Sequence, residues 1–217
     1  MVQNIDVAPK RRGRPRAYDP QTALQRITDR FWQSGYSGTS LDELCAETGM
    51  NRPSLYAAFG DKHTLYLKAL ESYWQLSHTA MREALANDGE ALNEALMRAY
   101  DAQLSIYFSG SGLARGCFVI GTAITEAVDD PDIRNSLGEG FHALDAALEG
   151  RLRRAREKGE LGDDADPAAL AVLASAVLHS IAIRARAGTP RAELREIARK
   201  AVNMICGCAA DTIYPDL

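Results

Sequence analysis

The sequence has few residues that could hold a metal or form disulfides. Its 217 residues include only four cysteines and four histidines. Cys45, Cys117, Cys206 and Cys208 lack the paired spacing and accompanying histidines of a structural zinc site. Cys206 and Cys208 are two positions apart in a helical pattern, so they point to different faces. We therefore expect reduced thiols and no metal or other cofactor.

Long apolar runs and enzyme motifs are missing as well. No run of eighteen or more apolar residues occurs, and the N-terminus is polar where a signal peptide needs an apolar segment, so we expect a cytoplasmic protein without membrane contact. The chain shows no nucleophile with a matching base, no phosphate-binding loop and no cluster with metal-ligand spacing. These absences argue against an enzyme.

Charged residues are common, but positive and negative charges are unevenly distributed along the chain. The chain carries a net charge of −4, yet residues 1–16 carry +4 and the rest of the chain carries −8. A short basic arm on an acidic body indicates that one end of the chain meets phosphates. A solvated tail is the alternative for this arm taken alone.

An apolar period of 3.6 residues runs through almost every segment, and sustained strand alternation is missing. This pattern predicts an all-α fold. The expected helices, about nine in number, cover residues 20–34, 41–48, 52–59, 62–86, 90–108, 117–128, 132–158, 167–187 and 190–208.

The stretch "TSLDELCAETGMNRPSLYAAFGDKHTLY" at residues 39–66 contains two very short helices with strong caps. Ser40 and Glu43 form a capping box, Asn51 caps the next helix, and Asp61 caps a long one. Two short helices joined by a tight glycine-containing turn predict a helix-turn-helix. Because helices of two turns are not stable alone, they must pack on neighbouring helices. The start of the second short helix then stays free for a DNA major groove, which is about 12 Å wide.

Several side chains in this stretch suit DNA contacts. Arg52 can bond to guanine O6 and N7, and Tyr56 can bond to a phosphate. Thr39 and Lys62 lie at helix starts, where exposed N–H groups favour phosphate. The remaining candidates, at the start of the same helix, are Asn51 and Ser54. For each residue alone, a solvated surface side chain is the alternative.

The segment "FWQSGYSGTSLDELCAETGMNRPSLYAAFGDKHTLY" resembles the DNA-binding signature of the tetracycline-repressor (TetR) family of bacterial transcription regulators. The resemblance covers about residues 20–70 and implies phosphate contacts for Tyr56 and Lys62 and base reading for the first residues of the third helix. It also implies a repressor that binds a palindromic double-stranded operator as a homodimer and is released by an unidentified small-molecule effector. The expected dimer interface is the last two helices, at about residues 167–187 and 190–208.

This resemblance gives the expected division of the chain. Residues 1–16 form a basic arm, residues 17–65 a three-helix helix-turn-helix DNA-binding domain, and residues 66–217 a helical effector-binding and dimerisation domain. In the arm, Arg11, Arg12, Arg14 and Arg16 form a narrow cationic segment that suits an A·T-rich minor groove. A tail with only non-specific attraction to DNA is the alternative.

The resemblance further implies an effector pocket in the second domain. Aromatic and polar residues at helical spacing are the candidates, although an aromatic stripe of this kind is more often plain core: Trp74, His78, Tyr100, Gln103, Tyr107, Phe118, Thr122, Phe141 and His179. Two other readings of the whole chain are an enzyme carrying a helix-turn-helix and an architectural DNA protein without a sensor. The size of the second domain argues against the latter.

Cys117 is a separate candidate, because it lies at an expected helix start two residues after Arg115. Both features lower a thiol pKa, so this cysteine could act as a redox or electrophile sensor. The alternative is an inert thiol packed under Phe118.

Overall fold

The computed structural model describes residues 19–110 and 112–207. Within these ranges the chain forms nine α-helices and no β-strand, which confirms the expected all-α fold. The helices are α1 (Pro20–Ser34), α2 (Leu41–Thr48), α3 (Arg52–Phe59), α4 (Lys62–Leu85), α5 (Leu92–Tyr107), α6 (Phe118–Glu126), α7 (Pro131–Glu157), α8 (Pro167–Arg186) and α9 (Arg191–Ile205). The basic arm and Cys208 lie outside the described residues.

The predicted caps of the short helices are all present. The Ser40 hydroxyl accepts from the Glu43 amide, and the Glu43 carboxylate accepts from the Ser40 amide, completing the capping box. The Asn51 side chain accepts from the Ser54 amide at 2.9 Å, and α2 ends at Gly49 in the left-handed conformation, which suits a residue without a Cβ. These local bonds fix where α2 and α3 begin and the turn between them.

Helices α1–α3 form a small head, and α5–α9 form a body. Helix α4 belongs to both, because its first turns pack on α1 and the rest packs on α5 and α7. In the head, the fully buried side chains of Ile27, Phe31, Leu44 and Leu55 fill the space between the helices. This packing supports two helices of only eight residues each.

Helix α6 and the loop before it join the head to the body. The Trp32 ring of α1 packs against Tyr73 of α4 and Phe118 of α6, with ring centroids 5.1 and 5.7 Å apart. The Arg115 guanidinium lies 4.1 Å from the centroid of the Trp32 ring and donates to Asp29 of α1. Aromatic and cation–π contacts of this kind make the junction a packed interface and not a free linker.

Helix α8 is the described helix whose length and composition would allow it to cross a membrane, with a mean hydropathy of 1.8. In this fold its apolar residues have another use. Ala174, Leu178 and Ile181 are buried against the neighbouring helices, and α8 packs on both α7 and α9. Packing on two sides therefore accounts for part of its apolar character.

Candidate functional site

Helix α3 exposes one of its faces to solvent at the surface of the head. Leu55 and Phe59 point into the core, while Arg52, Tyr56 and Ala57 face solvent. Tyr56 is 43% exposed, so much of its ring is open to a partner. The capped start of α3 thus presents a cation and an aromatic hydroxyl away from the body.

Arg52 does not extend freely into solvent. Its Nε donates to Oδ1 of Asp42 at 2.9 Å, and its Nη2 donates to Oδ2 at 2.8 Å. These hydrogen bonds hold the pKa of the Asp42 carboxyl below its usual value, so the carboxyl is ionised at neutral pH. Sequence reasoning missed Asp42, because a contact between the second residue of α2 and the first residue of α3 leaves no periodic signal.

The phosphate candidates differ in how available they are. The Lys62 ammonium lies 4.4 Å from the centroid of the Tyr36 ring, at the first turn of α4 and near the surface. Thr39, by contrast, is buried: its hydroxyl donates to the Gly35 carbonyl and its amide donates to the Tyr36 carbonyl. Because both donors of Thr39 are used inside the head, this geometry argues against Thr39 as a phosphate ligand.

A cleft of about 700 Å³ lies between α4 and α7. Its lining is Leu67, Glu71, Trp74, Gln75, His78, Thr79 and Arg82 from α4 with Asp132, Asn135, Ser136, Glu139, Gly140 and Ala143 from α7. The Trp74 and His78 rings stack with centroids 5.0 Å apart, and His78 Nε2–H donates to the Gly140 carbonyl at 3.0 Å. A cleft of this size with an aromatic wall and a few polar groups is typical of small-molecule sites.

Of the nine predicted effector contacts, Trp74 and His78 line this cleft and Phe141 packs behind it. The Phe141 ring lies between Trp74 and His179, with centroids 5.6 and 4.9 Å away. Burial lowers the pKa of both His78 and His179, which keeps them neutral at pH 7. The aromatic wall therefore continues from the cleft into the interface of α7 and α8.

The other predicted contacts are part of the packed core. The Tyr100 hydroxyl donates to the Ala174 carbonyl, and the Gln103 amide bonds to Ser77. The Thr122 hydroxyl bonds to Tyr66 at 2.7 Å.

Tyr107 and Phe118 are buried among apolar neighbours in the same core. Helical spacing identified inward-facing positions correctly, but it does not distinguish a packed core from the wall of a cleft.

Cys117 lies at the start of α6 as expected, in the N-cap position. The expected lowering of its pKa is wrong: burial raises the pKa of the thiol, and this outweighs the amides of the helix start. The Tyr73 hydroxyl donates to Cys117 Sγ at 3.1 Å. The residue also lines a smaller pocket of about 360 Å³ between α6 and α8, together with Arg186.

Among the residues that the structure describes, one group has donor atoms close enough to share a metal ion. Donor atoms of His63, Asp130 and Asp132 lie within 4.8 Å of one another, where the start of α4 meets the start of α7. The Asp130 carboxylate caps α7 through the amides of Asp132 and Ile133 and bonds to His63 at 2.7 Å. This cluster is accounted for as a helix cap and a contact between two helices.

A helix-turn-helix with a solvent-facing second helix, joined by a shared helix to a body with a cleft, defines the class of DNA-binding transcription regulators. Sequence comparison agrees with this class. Residues 26–69 match the profile described as "Bacterial regulatory proteins, tetR family", and residues 94–202 match "Tetracyclin repressor-like, C-terminal domain".

Individual relatives give the same result. The chain is 32% identical over 189 residues to the HTH-type transcriptional repressor ComR of Escherichia coli (strain K12), covering 87% of this chain and 90% of that protein. It is also 32% identical to the TetR family regulator CifR, solved as a cysteine mutant with 26 bp of operator DNA, with a TM-score of 0.78 over 88% of this chain and 98% of that one.

The fold recurs at lower identity in the reduced form of E. coli NemR, at 22% identity and a TM-score of 0.72, covering 89% of this chain and 98% of that one. The chain belongs to the TetR family of transcription regulators, whose members bind operator DNA.

Proposed function

We propose that this protein is a ligand-responsive repressor that binds a palindromic operator as a homodimer and releases it when a small molecule binds. The observation that carries the proposal is α4, which runs without interruption from the DNA-facing head to the cleft between α4 and α7. An occupant of the cleft acts directly on the helix that holds the head. The repressor ComR and the operator complex of CifR support the same reading.

The DNA-contacting surface comprises the start of α3 and the start of α4. Arg52 reads a base edge, Tyr56 and Lys62 hold phosphates, and Asn51 and Ser54 border the groove. Exposure supports these roles for Arg52, Asn51 and Tyr56. The arginines of residues 1–16 add contacts in the minor groove. We retain the division into an arm (1–16), a DNA-binding domain (17–65) and an effector-binding and dimerisation domain (66–217).

The homodimer forms through α8 and α9. Helix α8 leaves Val172, Leu173 and Ile183 about half exposed, and α9 exposes Met204 by 65%. Val172 and Ile183 are eleven positions apart, which is close to three helical turns, so they share one face. Two such helices from each protomer would bury these side chains in a four-helix bundle, as two-fold symmetric pairing requires.

The effector occupies the cleft between α4 and α7. Its wall offers the stacked Trp74 and His78 rings for an aromatic or flat group, while Glu71, Arg82 and Glu139 offer charges at the edge. We infer no catalytic role for these residues, and we expect a DNA-binding regulator of this kind in the cytoplasm.

Sensing through Cys117 is the second candidate function. The observation in its favour is the pocket between α6 and α8, where an electrophile could reach the thiol next to Arg186. The raised thiol pKa opposes it, because the thiolate is the reactive form. An electrophile would therefore react slowly here unless the pocket opens.

Operator selection tests the main proposal. Wild-type protein selects duplexes from a randomised pool, and we expect a pseudo-palindrome whose half-sites lie about 34–36 Å apart. Arg52→Ala is expected to cost about 1–3 kcal/mol at one base pair in each half-site. Equal binding of all duplexes by the wild type would contradict the proposal.

The effector site has its own test. The chain has two tryptophans, so Trp32→Phe leaves Trp74 as the fluorophore beside the cleft. Compounds that both change this fluorescence and release the selected DNA are effectors. The variants Glu139→Gln and His78→Gln should each weaken the binding of these compounds. Compounds that release DNA without changing the Trp74 signal would place the effector site elsewhere.

A further inference from the structure

Arg52 and Asp42 form a two-point ion pair on the DNA-facing surface. Asp42 is the second residue of α2, and Arg52 is the first residue of α3. The Nε–Oδ1 and Nη2–Oδ2 distances are 2.9 and 2.8 Å, so the carboxylate lies alongside one edge of the guanidinium. The side chains are 56% and 75% exposed, which leaves the rest of Arg52 accessible.

The edge that Asp42 occupies is not the edge that reads guanine. A guanidinium has five N–H groups in one plane. Asp42 accepts from Nε–H and from one N–H of Nη2, which leaves the second N–H of Nη2 and both N–H groups of Nη1. The end edge of the plane, formed by one N–H from each Nη, matches guanine O6 and N7. The pair therefore leaves the base-reading edge intact.

Stability of the fold does not explain this pair. Exposed ion pairs contribute little, because water screens them and two side chains lose freedom. What the pair changes is the freedom of Arg52. An arginine side chain that is already fixed loses less conformational entropy when it meets a base. A carboxylate at this surface also repels the phosphates of DNA, so its benefit has to lie in geometry and not in general attraction.

We propose that Asp42 is a positioning residue for base recognition, which holds the Nε–Nη2 edge of the Arg52 guanidinium so that the adjacent end edge selects guanine in the operator half-site. The inference rests on the operator binding proposed above, and it deepens that proposal by naming what orients the reading side chain. It predicts that Asp42 acts on discrimination between bases, whereas Lys62 and the basic arm act on affinity for any DNA.

Base-pair substitution in the selected operator tests this role. Wild-type protein first selects its duplex from a randomised pool, and each base pair of one half-site is then changed in turn at constant salt. Arg52→Ala should lower the preference at one G·C pair by about tenfold or more. Asp42→Asn should lower the preference at the same pair by about threefold to tenfold. Its affinity for an unrelated duplex should stay the same or increase, because a negative charge is removed.

Two comparisons isolate the pair. Glu47→Gln removes another exposed carboxylate from α2 and should leave the preference unchanged. In an Arg52→Ala background, Asp42→Asn should have no further effect on discrimination, as expected for a residue that acts only through Arg52. Binding of the unrelated duplex serves as the check that each variant is folded.

Other outcomes would overturn the inference. Uniform tightening by Asp42→Asn with an unchanged base preference would make Asp42 a competitor of DNA for Arg52. If Asp42→Asn lowered the base preference further in the Arg52→Ala background, Asp42 would act independently of Arg52. A wild-type protein without any sequence preference would instead contradict the operator binding itself. That result is distinguishable from the two outcomes for Asp42→Asn.

Discussion

Gly140 of α7 lies directly under the indole of Trp74 of α4, so close that a methyl group on Gly140 would come within 2.1 Å of the indole Cε2 atom. Trp74 is buried at the wall of the cleft, and its Nε1 meets no hydrogen-bond acceptor among the described residues. The contact sets how closely α4 and α7 approach each other. The absence of one side chain therefore shapes the cleft.

Gly140→Ala should destabilise the protein. The added methyl group forces the Trp74 ring or α7 to move, and overpacking of this kind costs about 1–3 kcal/mol. Urea unfolding measures the change. Gly138→Ala is the matched control: it lies on the same helix with open space around it, and it should stabilise by up to about 1 kcal/mol through helix propensity. Equal effects of the two variants would show that the Trp74 contact has no energetic importance.

Stability should fall in mildly acidic solution because of the neutral histidines beside the cleft. Burial lowers the pKa of His78 and His179 from 6.5 in the folded state. The unfolded chain therefore binds protons first as pH falls below 6.5, and the free energy of unfolding decreases until the folded-state pKa is passed. In His78→Gln, the loss of stability between about pH 7.5 and about pH 5.5 should be smaller than in the wild type.

The control for this pH dependence is His142→Gln. His142 is exposed on α7 and does not line the cleft, so this variant shows how much of the change in slope comes from removing any histidine. A smaller slope in both variants would assign the effect to a general change in charge and not to burial of His78.

Val172→Asp should convert the protein to a monomer, because it places a carboxylate in the apolar face proposed for the dimer. Sedimentation measures the state of association, and operator binding should weaken severely because two half-site energies no longer add within one particle. Leu76→Asp, which changes a leucine on α4 that is 52% exposed, should remain dimeric.

Truncation before residue 166, which removes α8 and α9, should give a monomer or an insoluble chain. A soluble truncated dimer would place the interface elsewhere.

Deletion of residues 1–16 should weaken DNA binding and make the binding less dependent on salt concentration. Each cation that contacts a phosphate steepens the plot of log K against log salt by about 0.9. Because Arg11, Arg12, Arg14 and Arg16 lie outside the described residues, this role stays a prediction. A chain of the same length with these arginines changed to glutamine separates charge from length. An unchanged salt slope in both variants would remove the arm from the binding mechanism.

Alkylation tests sensing through Cys117. If the thiol is the sensor, an alkylating agent should release operator DNA from the wild type and fail to release it from Cys117→Ser. Cys45→Ser, Cys206→Ser and Cys208→Ser should still respond. The raised thiol pKa predicts slow reaction at neutral pH and faster reaction as pH rises. If alkylation released operator DNA from Cys117→Ser as fast as from the wild type, Cys117 would serve only in packing.

Local signals account for the part of the structure that the sequence could predict. The capping box of Ser40 and Glu43 and the caps at Asn51 and Asp61 are bonds between residues three positions apart, so the sequence places them directly. The same holds for the inward face of each helix. The apolar period predicted the all-α fold, and positions chosen by helical spacing, Tyr100 and Phe118 among them, are buried.

Contacts between helices account for what the sequence could not predict. Nothing in the spacing pairs Asp42 with Arg52 or Gly140 with Trp74, because the period of a helix gives its face and not its neighbour. The burial of Thr39 and the raised pKa of Cys117 have the same origin. For Thr39 and Cys117 the local helix start was identified correctly, and tertiary packing then decided which groups stayed available.

Helix α4 is continuous from the head to the cleft, so a rotation at one end displaces the other end. Lys62 and Trp74 are twelve residues apart, which corresponds to about 18 Å along the helix axis. A tilt of roughly 5° about the Trp74 end would carry the first turn of α4 sideways by about 1.6 Å. In a two-fold symmetric pair the two heads would move in opposite directions, so the spacing between them would change by up to about twice that amount. If a small ligand binds in the cleft as proposed, it would change the spacing of the two α3 helices without unfolding either one.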